Sequence, residues 1–515
     1  MLKAALHLLR KTIFEMKKFF SKIVLVLLAV VLVNTSCDDG FAELNVDPTV
    51  SPDINPKFQF SWVQLRTSGG RYENWRAGLI YSSTMVQHYA TLCGYWSGDK
   101  YSYNSGYSSS LFERAYTETV KDVQDLIATL ESGTAGDDSM LGVAKIWRSV
   151  IFHRLTDIYG DVPYSEAGKG FLEGIDQPKY DAQEDIYAGM LKDIEEGIAL
   201  ISADGGFGSA DFFYGGDADQ WKRFGYSLML RLGMRMSEAD PAAAQQWVQK
   251  AIAGGAMNST SDDALIQHTN GPEGVNRNGI GEVLDKSNGF GDDCPRISAT
   301  FINWLMSNND PRLDMIALTP ANGGGHNGLP NGLDNTTILE NPTGTDINDF
   351  STFNPLMVKV ESPMFFMTYA ETELLLAEAS VRGWSNGDAA AHYANGVRAA
   401  MQSLAKYDES LAISDTDIDA YLAANPFDAA IGMQQIGEQY WAATYLNEYE
   451  AYANFRRTGY PALVPTNYPG NESNGQVPLR LRYSQGEYGI NGANIEAAIA
   501  RQGADQFTTP VWWDK

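Results

Sequence analysis

The chain has 515 residues, of which 44% are hydrophobic and 20% are charged, and this composition excludes disordered, collagen-like and multispanning membrane proteins. Lys and Arg number 38 against 64 Asp and Glu, which gives a formal charge of −26. This acidic excess argues against a nucleic-acid partner, because phosphate binding depends on Lys and Arg neutralising the polymer.

The first 36 residues differ in composition from the rest of the chain. This segment is basic, with six Lys and Arg residues and a single Glu. An unbroken apolar run over 23–33 follows, which is shorter than the ~20 residues that span a bilayer and fits the hydrophobic region of a signal peptide. We therefore expect residues 1–36 to be removed. Met16 begins a second, shorter signal-like sequence, so Met1 and Met16 are both candidate start sites.

The apolar run ends at Thr35-Ser36-Cys37, where small residues precede a cysteine as they do in lipoprotein signals. An ordinary cleavage site beside an unrelated thiol is the alternative. Asp38 and Asp39 are similar to the acidic signal that sends some bacterial lipoproteins to the outer face of the outer membrane. We expect Cys37 to become the lipidated N-terminus that anchors the protein.

Two further cysteines, Cys93 and Cys294, lie far apart in the chain. They could form a disulfide or remain as two buried thiols. Because the sequence shows no framework of regularly spaced cysteines, we expect two thiols.

Apolar residues recur at intervals of three and four along most of the remaining chain, which is the pattern of helices that pack on one face. This pattern predicts helices over 140–155, 221–232, 367–381 and 433–443, with further helices over 74–92, 110–132, 183–202, 241–254, 386–405 and 415–424. Several fall in pairs within ~35–40 residues, the period of helical-hairpin repeats such as tetratricopeptide units. No linker divides the chain, so residues 37–515 are predicted to form a single domain.

Three long stretches rich in Gly, Ser, Asn or Thr interrupt the helices, at 93–110, 255–296 and 319–356. Loops of this length in a compact protein are usually functional. The first stretch and the residues before it are unusually aromatic and are interleaved with polar residues. The residues concerned are Trp75, Tyr95, Trp96, Tyr101, Tyr103 and Tyr107, with Arg71, Asp99, Lys100 and Asn104.

Aromatic rings interleaved with polar side chains are typical of sugar-binding surfaces. Sugar rings stack their C–H faces on aromatic planes, and the neighbouring polar groups hydrogen-bond the hydroxyls. The alternative is that these rings fill gaps between helices. We expect an exposed aromatic platform, with Trp96 as its leading stacking residue.

Enzyme and cofactor signatures are missing from the sequence. It contains no HExxH, CxxC, GxSxG or Walker motif, so no catalytic residue, metal or cofactor is expected. Two sets of carboxylates could in principle supply a glycosidase pair: Asp157 with Asp161, and Glu371 with Glu373 and Glu378. Helix caps and interhelix hydrogen bonds explain them better, because glycoside hydrolysis needs two carboxyls facing each other at ~5–10 Å. Calcium binding by the 285–293 or 334–349 loop is an alternative, although neither loop has EF-hand spacing.

Eight strings of the sequence resemble the signature of SusD/RagB outer-membrane lipoproteins, and they occur in order over essentially the whole mature chain. They are LTDIYGDVPYSEA (155–167), PKYD (178–181), YGGD with WKRFGYSLMLRLGMRMS (214–237), DPRL (310–313), FMTYAETELLLAEASVRGW (366–384), IGEQYWAATYLNEYEAYANFRRTGYPAL (436–463), PLRLRYSQGEYGINGAN (478–494) and VWWDK (511–515).

The resemblance implies an all-α fold, with four tetratricopeptide-like helical hairpins supporting a large irregular, loop-rich ligand-binding half. It also implies a lipid-anchored protein at the cell surface that covers a SusC-like TonB-dependent transporter, captures an oligosaccharide and passes it on. No chemistry would occur on this subunit. A RagB-like peptide-binding protein of the same architecture is the alternative, and a glycoside hydrolase is a third and weaker one.

In proteins of this family the aromatic residues that contact ligand tend to precede the LTDIYGD string or to lie in loops in the middle of the chain. Here those regions are 71–107 and 285–295. The resemblance therefore implies a set of eight ligand-binding residues. They are Arg71, Trp75, Tyr95, Trp96, Tyr101, Tyr103, Asn288 and Phe290.

Overall fold

The structure is a computed structural model that describes residues 2–33, 54–271 and 276–515. It divides into two compact units, Met1–Ile54 and Asn55–Lys515. The described part of the first unit is essentially one helix, α1 (Leu2–Val33). Among the described residues, no helix has an apolar stretch long enough to pass through a bilayer. Cys37, the expected lipidation site, lies outside the described residues.

The second unit is built mainly from α-helices, and the predicted all-α fold class is confirmed. Its helices are α2 (Pro56–Ser68), α3 (Arg71–Glu73), α4 (Ser105–Ser108), α5 (Ser110–Arg114), α6 (Lys121–Glu131), α7 (Asp138–Tyr159), α8 (Gly170–Glu173), α9 (Gln183–Leu200), α10 (Ala218–Arg235), α11 (Pro241–Gly254), α12 (Gly281–Leu284), α13 (Ala299–Ser307), α14 (Leu313–Ile316), α15 (Tyr369–Val381), α16 (Ala389–Gln402), α17 (Asp415–Ala424), α18 (Gly432–Ala443), α19 (Glu448–Thr458), α20 (Gln485–Ile490) and α21 (Gly492–Gln502). Two π-helical segments, Asn74–Ser83 and Ala115–Val120, continue α3 and α5.

The helix ends follow local sequence chemistry. Asp137 accepts a hydrogen bond from the backbone N–H of Met140 at 2.8 Å and so caps the start of α7. Gly160 follows the last residue of α7 with a φ of 80°, a conformation that favours glycine. Thr368 and Glu371 form a reciprocal capping box at the start of α15.

Three helix pairs carry the most extensive packing in the described part of the chain, α7 with α9, α15 with α16, and α10 with α11, and α18 packs against both α15 and α19. Each pair buries the apolar stripe that the periodicity predicts, and α10 also contacts α9 and α15. The tetratricopeptide-like geometry of these pairs stays a prediction.

Buried ion pairs join helices of different pairs. Arg231 on α10 contacts Glu371 on α15 at 2.5 Å, and Arg235 contacts Glu450 on α19 at 2.6 Å. Unpaired charges would be costly in this core, so each buried carboxylate needs its guanidinium partner. Glu371 and Glu450, which belong to the family-like strings of the sequence, therefore stabilise the helical scaffold.

The strands of the described residues are short and form two-stranded ladders. They are β1 (Tyr89–Thr91) with β5 (Pro295–Ile297), β2 (Val162–Pro163) with β3 (Tyr180–Asp181), β4 (Ala264–Gln267) with β8 (Pro363–Met367), and β6 (Ala317–Leu318) with β7 (Thr352–Phe353), all antiparallel. The helix predicted over 74–92 ends early, because Gln87 has a φ of 57° and β1 then pairs with β5. This pairing draws the two loop regions of the predicted site together.

Candidate ligand-binding site

One carboxylate, that of Asp292, accepts hydrogen bonds from three aromatic side chains of a distant part of the chain. The indole N–H groups of Trp75 and Trp96 donate to Oδ2 of Asp292 at 3.2 and 3.0 Å. The hydroxyl of Tyr95 donates to Oδ1 at 2.7 Å, and the backbone N–H of Cys294 donates to the same oxygen at 3.0 Å. Asp292 thus orients three aromatic side chains, and its role was missed in the sequence because nothing local distinguishes it from the other acidic residues of this loop.

Cys93 and Cys294 form a disulfide with a Cα–Cα distance of 5.7 Å. The expectation of two separate thiols was wrong. Thr91 and Pro295 are opposite partners in the β1–β5 ladder, so the residues just beyond them lie side by side. The sequence did not reveal this pairing, because the two cysteines are 201 positions apart.

Trp96 and Tyr101 are completely buried, each with 0% of its surface exposed. The expectation that Trp96 offers its ring to a glycan was therefore wrong. The same holds for Tyr101, whose ring is equally inaccessible. Asp99 and Lys100 are buried as well and pair with each other at 3.0 Å, so they do not line a surface. The 93–110 stretch contributes some residues to the core and others to the surface. The number of aromatic residues in the sequence could not distinguish the two groups.

Three of the accessible rings lie close together. Trp75 and Tyr107 are half-buried, and 43% of Tyr95 is exposed. The ring centroids of Trp75 and Tyr95 are 6.2 Å apart and nearly perpendicular, and those of Trp75 and Tyr107 are 6.4 Å apart with planes inclined by 36°. We call Trp75, Tyr95 and Tyr107 the Trp75 surface. Its rings meet at angles, so they form a shallow aromatic corner.

Arginines flank the Trp75 surface. The Arg71 guanidinium lies 5.1 Å from the centre of the Trp75 ring. The Arg76 guanidinium lies 3.7 Å from the ring centre of Tyr72 and 5.5 Å from that of Tyr107. Such stacking holds a planar cation in place without a carboxylate. Arg71 was predicted as a site residue, whereas Arg76 and Tyr72 were missed.

Asn288 and Phe290 lie in the loop that carries Asp292, and both are half-buried. The Asn288 amide donates to Asp285 at 2.7 Å and accepts from the Asn270 amide at 2.9 Å. The Arg277 guanidinium lies 5.7 Å from the Phe290 ring centre. The amide of Asn288 is thus engaged in shaping its loop, while the ring of Phe290 remains partly open to solvent.

Tyr103 is half-buried and contacts a different part of the chain. The Arg482 guanidinium lies 3.8 Å from its ring centre, and the Phe507 ring lies 6.1 Å away. These contacts join Tyr103 to the C-terminal segment. Of the eight predicted residues, the structure gathers Trp75, Tyr95 and Trp96 around Asp292, with Trp96 beneath the surface, and places Arg71 beside the Trp75 ring.

The carboxylates considered as candidates for a glycosidase pair are all buried in the scaffold. Asp157 contacts His153 at 3.0 Å and Arg235 at 3.3 Å, and Glu378 contacts Arg457 at 2.6 Å. Burial opposes ionisation of Asp157, but His153 and Arg235 together outweigh it and hold its pKa well below the ordinary value. Such groups are held as ion pairs away from solvent and are poorly placed to transfer protons to a sugar.

His153, Asp157 and Glu450 have ligand atoms within 4.8 Å of one another, the spacing of a metal site. The guanidinium of Arg235 already contacts both carboxylates and supplies the positive charge that a cation would bring. In the loops considered for calcium, Asp285 and Asp334 accept backbone N–H groups of Ser287 and Thr336, each at 2.9 Å. These oxygens therefore serve as turn caps.

A cleft of about 570 Å³ lies between the start of α9, the end of α21 and the C-terminal segment. Its lining includes Arg501, Trp512 and Asp514. Arg501 is paired with Asp161 at 2.6 Å, whereas Asp514 Oδ2 is buried without a hydrogen-bond partner among the described residues. Burial raises the pKa of Asp514 to about 6, although nearby Arg456 acts in the opposite direction.

Comparisons with known proteins place this arrangement among solved structures. A SusD-like family profile, described as starch-binding and associating with the outer membrane, matches residues 61–484. A structure named as a chitin-binding protein is 36% identical, with a TM-score of 0.81 over 89% of this chain and 100% of that chain. A structure named Bacteroidetes AC2a SusD-like is 26% identical, with a TM-score of 0.79 over 90% of this chain and 100% of the other.

A chitin-binding SusD homologue from Flavobacterium johnsoniae is 22% identical, with a TM-score of 0.75 over 89% of this chain and 98% of that chain. At this identity the similarity shows the fold alone. A comparison with curated proteins gave no match.

Proposed function

This chain belongs to the SusD-like family, and on that premise we propose that it captures a glycan on the Trp75 surface. The captured oligosaccharide would then pass to a SusC-like TonB-dependent transporter. The protein would be held at the cell surface of the outer membrane by lipid on Cys37. It acts in this proposal as a binding protein and carries out no bond cleavage.

The observation that carries the proposal is the accessible aromatic corner held by Asp292. Trp75 presents part of its ring to solvent while its indole N–H is fixed at 3.2 Å from the carboxylate. A fixed ring loses little freedom when a sugar stacks on it, and Tyr95 and Tyr107 offer further faces at different angles. Angled rings suit an oligosaccharide that bends or presents several residues.

Relatives suggest the first ligand to test. The relative that is 36% identical is named for binding chitin, and its structure aligns over 89% of this chain. We therefore propose β-linked N-acetylglucosamine oligosaccharides as the first candidates, with α-glucans second because the family description names starch.

Calorimetric titration of residues 38–515 with chitohexaose, maltoheptaose and a mixed tetrapeptide library tests the proposal. We expect saturable binding of one of the two glycans and loss of that binding in the Trp75→Ala variant. Release of shorter sugars during long incubation would contradict a binding-only role. Binding of peptides without glycans would favour the RagB-like alternative.

The anchor and the transporter are tested separately. Cys37→Ser in the full chain is expected to leave the membrane fraction, because a lipid chain contributes about 0.8 kcal/mol for each buried CH₂. Retention of this variant in the membrane would place the anchor elsewhere.

We also expect glycan affinity to rise when the transporter is present. A partner that orders the long loops beforehand removes the entropy cost of ordering them from ligand binding. Equal affinity with and without the transporter would contradict a shared chamber.

A further inference from the structure

The guanidinium of Arg76 sits at the edge of the Trp75 surface without the usual protein partners. Its centre lies 3.7 Å from the Tyr72 ring centre and 6.0 Å from that of Trp75. Tyr72 and Arg76 are four residues apart, which places them on the same side of one helical turn. Aromatic stacking therefore fixes the plane of the guanidinium beside the accessible rings.

The hydrogen-bonding capacity of Arg76 is unfilled within the described residues. Its Nε is buried and has no acceptor. No described carboxylate lies within ion-pairing distance of Arg76 or of Arg71, whereas Arg66 and Arg114 nearby both pair with Glu118. A half-buried guanidinium with open donors in so acidic a protein is unusual, because a buried donor without an acceptor lowers stability.

Carboxylates near Arg76 are already committed. Glu118 holds the two neighbouring arginines, with Arg114 at 2.6 Å. Glu113 accepts from the hydroxyls of Ser109 and Ser484 through Oε1 at 2.7 and 2.9 Å, and from the Tyr72 hydroxyl through Oε2 at 3.3 Å. Both carboxylates thus make other contacts, and among the described residues neither forms an ion pair with Arg76.

We propose that Arg76, assisted by Arg71, which also lies beside the Trp75 ring, binds an oxyanion carried by the glycan. The group would be the carboxylate of a uronic acid or a sulfate ester, since the planar fork of a guanidinium matches both. This inference rests on the proposed glycan binding at the Trp75 surface and narrows its ligand class to anionic oligosaccharides.

The acidic surface of the protein does not prevent this. At physiological salt the Debye length is ~8 Å, so distant carboxylates are largely screened while a contact with Arg76 is not. Asp292 is the carboxylate next to the rings, and its oxygens are engaged by two indole N–H groups and the Tyr95 hydroxyl. The ligand therefore meets, beside Trp75, two arginines without carboxylate partners among the described residues, and a carboxylate whose oxygens are already hydrogen-bonded.

Three hexasaccharides separate the possibilities: neutral chitohexaose, its 6-O-sulfated derivative, and hyaluronan hexasaccharide, in which N-acetylglucosamine alternates with glucuronate. We expect the protein to bind at least one charged ligand more tightly than chitohexaose. Arg76→Met should weaken that binding about 10- to 100-fold, the loss expected for a charge-assisted contact, and change chitohexaose binding less than threefold. Tighter binding of the sulfated or of the glucuronate ligand identifies the oxyanion.

Arg398→Met is the matched control, because it removes the same charge from a partly exposed arginine on α16 that contacts Asp419. Arg76→Lys keeps the charge and loses the fork, so it should recover only part of the affinity. If Arg76→Met does not fold, Arg71→Met tests the same preference with an exposed side chain. Equal affinity for the three ligands, or equal losses in the Arg76 and Arg398 variants, would overturn the inference and leave the proposed function standing. Failure of every glycan to bind would remove both.

Discussion

The indole of Trp75 donates a hydrogen bond to the carboxylate of Asp292, although the two residues lie 217 positions apart in the chain. Tyr95 and Trp96 donate to the same carboxylate. The ring that faces solvent and the ring that belongs to the core thus share one acceptor. Changes at Asp292 should therefore affect ligand binding and stability together.

Asp292→Asn tests this shared acceptor. The amide can accept hydrogen bonds through its oxygen alone, so at least two of the four donors lose their partner. We expect the free energy of unfolding to fall by about 1–3 kcal/mol and glycan affinity to fall three- to tenfold. Urea unfolding and calorimetric titration measure the two effects. Asp293→Asn is the control, because the side chain of Asp293 is 71% exposed and carries the same charge.

Trp75→Ala and Trp96→Ala should behave in opposite ways. Loss of the half-buried Trp75 ring removes stacking and should weaken glycan binding about five- to thirtyfold, with a small change in melting temperature. Loss of the buried Trp96 ring should reduce the free energy of unfolding by about 3–5 kcal/mol. Thermal melting and titration on both variants check this, and a stable Trp96→Ala protein would contradict its assignment to the core.

The disulfide should stabilise the fold and hold the ligand loop near the aromatic residues. We expect the double variant Cys93→Ser, Cys294→Ser to lose about 2–4 kcal/mol of stability, the usual range for a native disulfide. Glycan affinity should also fall, because the loop carrying Asp292 gains freedom. Denaturant unfolding and titration before and after reduction measure both effects. The double variant should show neither change on reduction, and free thiols in the unreduced wild-type protein would contradict the pairing.

Stability should depend on the ionisation of Asp514. Burial raises the pKa of this carboxyl to about 6 in the folded protein, above its ordinary value of about 4. The folded state therefore holds the proton more tightly than the unfolded state, and the free energy of unfolding decreases as pH rises from about 4 to 6.

Asp514→Asn should remove this decrease. Because Asp514 is partly exposed, we expect a gain of about 1–2 kcal/mol at pH 7 and little change at pH 4. Urea unfolding of both proteins at the two pH values measures it. Parallel pH profiles for wild type and variant would show that Asp514 does not titrate in this range.

The helices were predictable because their signal is local. Asp415–Ala424 and Pro241–Gly254 match the predicted ranges to the residue, since caps and apolar periodicity act within a few turns of chain. The helix predicted over 74–92 failed at its end, where pairing with β5 more than 200 residues away replaces local preference. Long-range pairing overrides a local pattern in this way wherever strands form.

The site was harder to predict, because its organisation depends on contacts between distant segments. Trp75 and Trp96 both belong to the aromatic region before the LTDIYGD string, yet one is half-buried and the other is 0% exposed. Asp292 and the Cys93–Cys294 pair acquire their roles through the β1–β5 ladder, which the periodicity did not reveal.

The π-helical segment Asn74–Ser83 gives the binding surface a further determinant. It begins directly after the short helix that carries Tyr72, and it includes both Trp75 and Arg76 as well as the buried Leu79 and Ile80. In a helix each residue turns the chain by ~100°, so deleting one residue here and restoring ordinary α-helical bonding would swing the ligand-facing side chains away from their position over the core. The direction in which the aromatic corner faces is thus encoded in the number of residues as well as in their identity. An insertion or deletion in this segment would redirect the surface in a way that no substitution can reproduce.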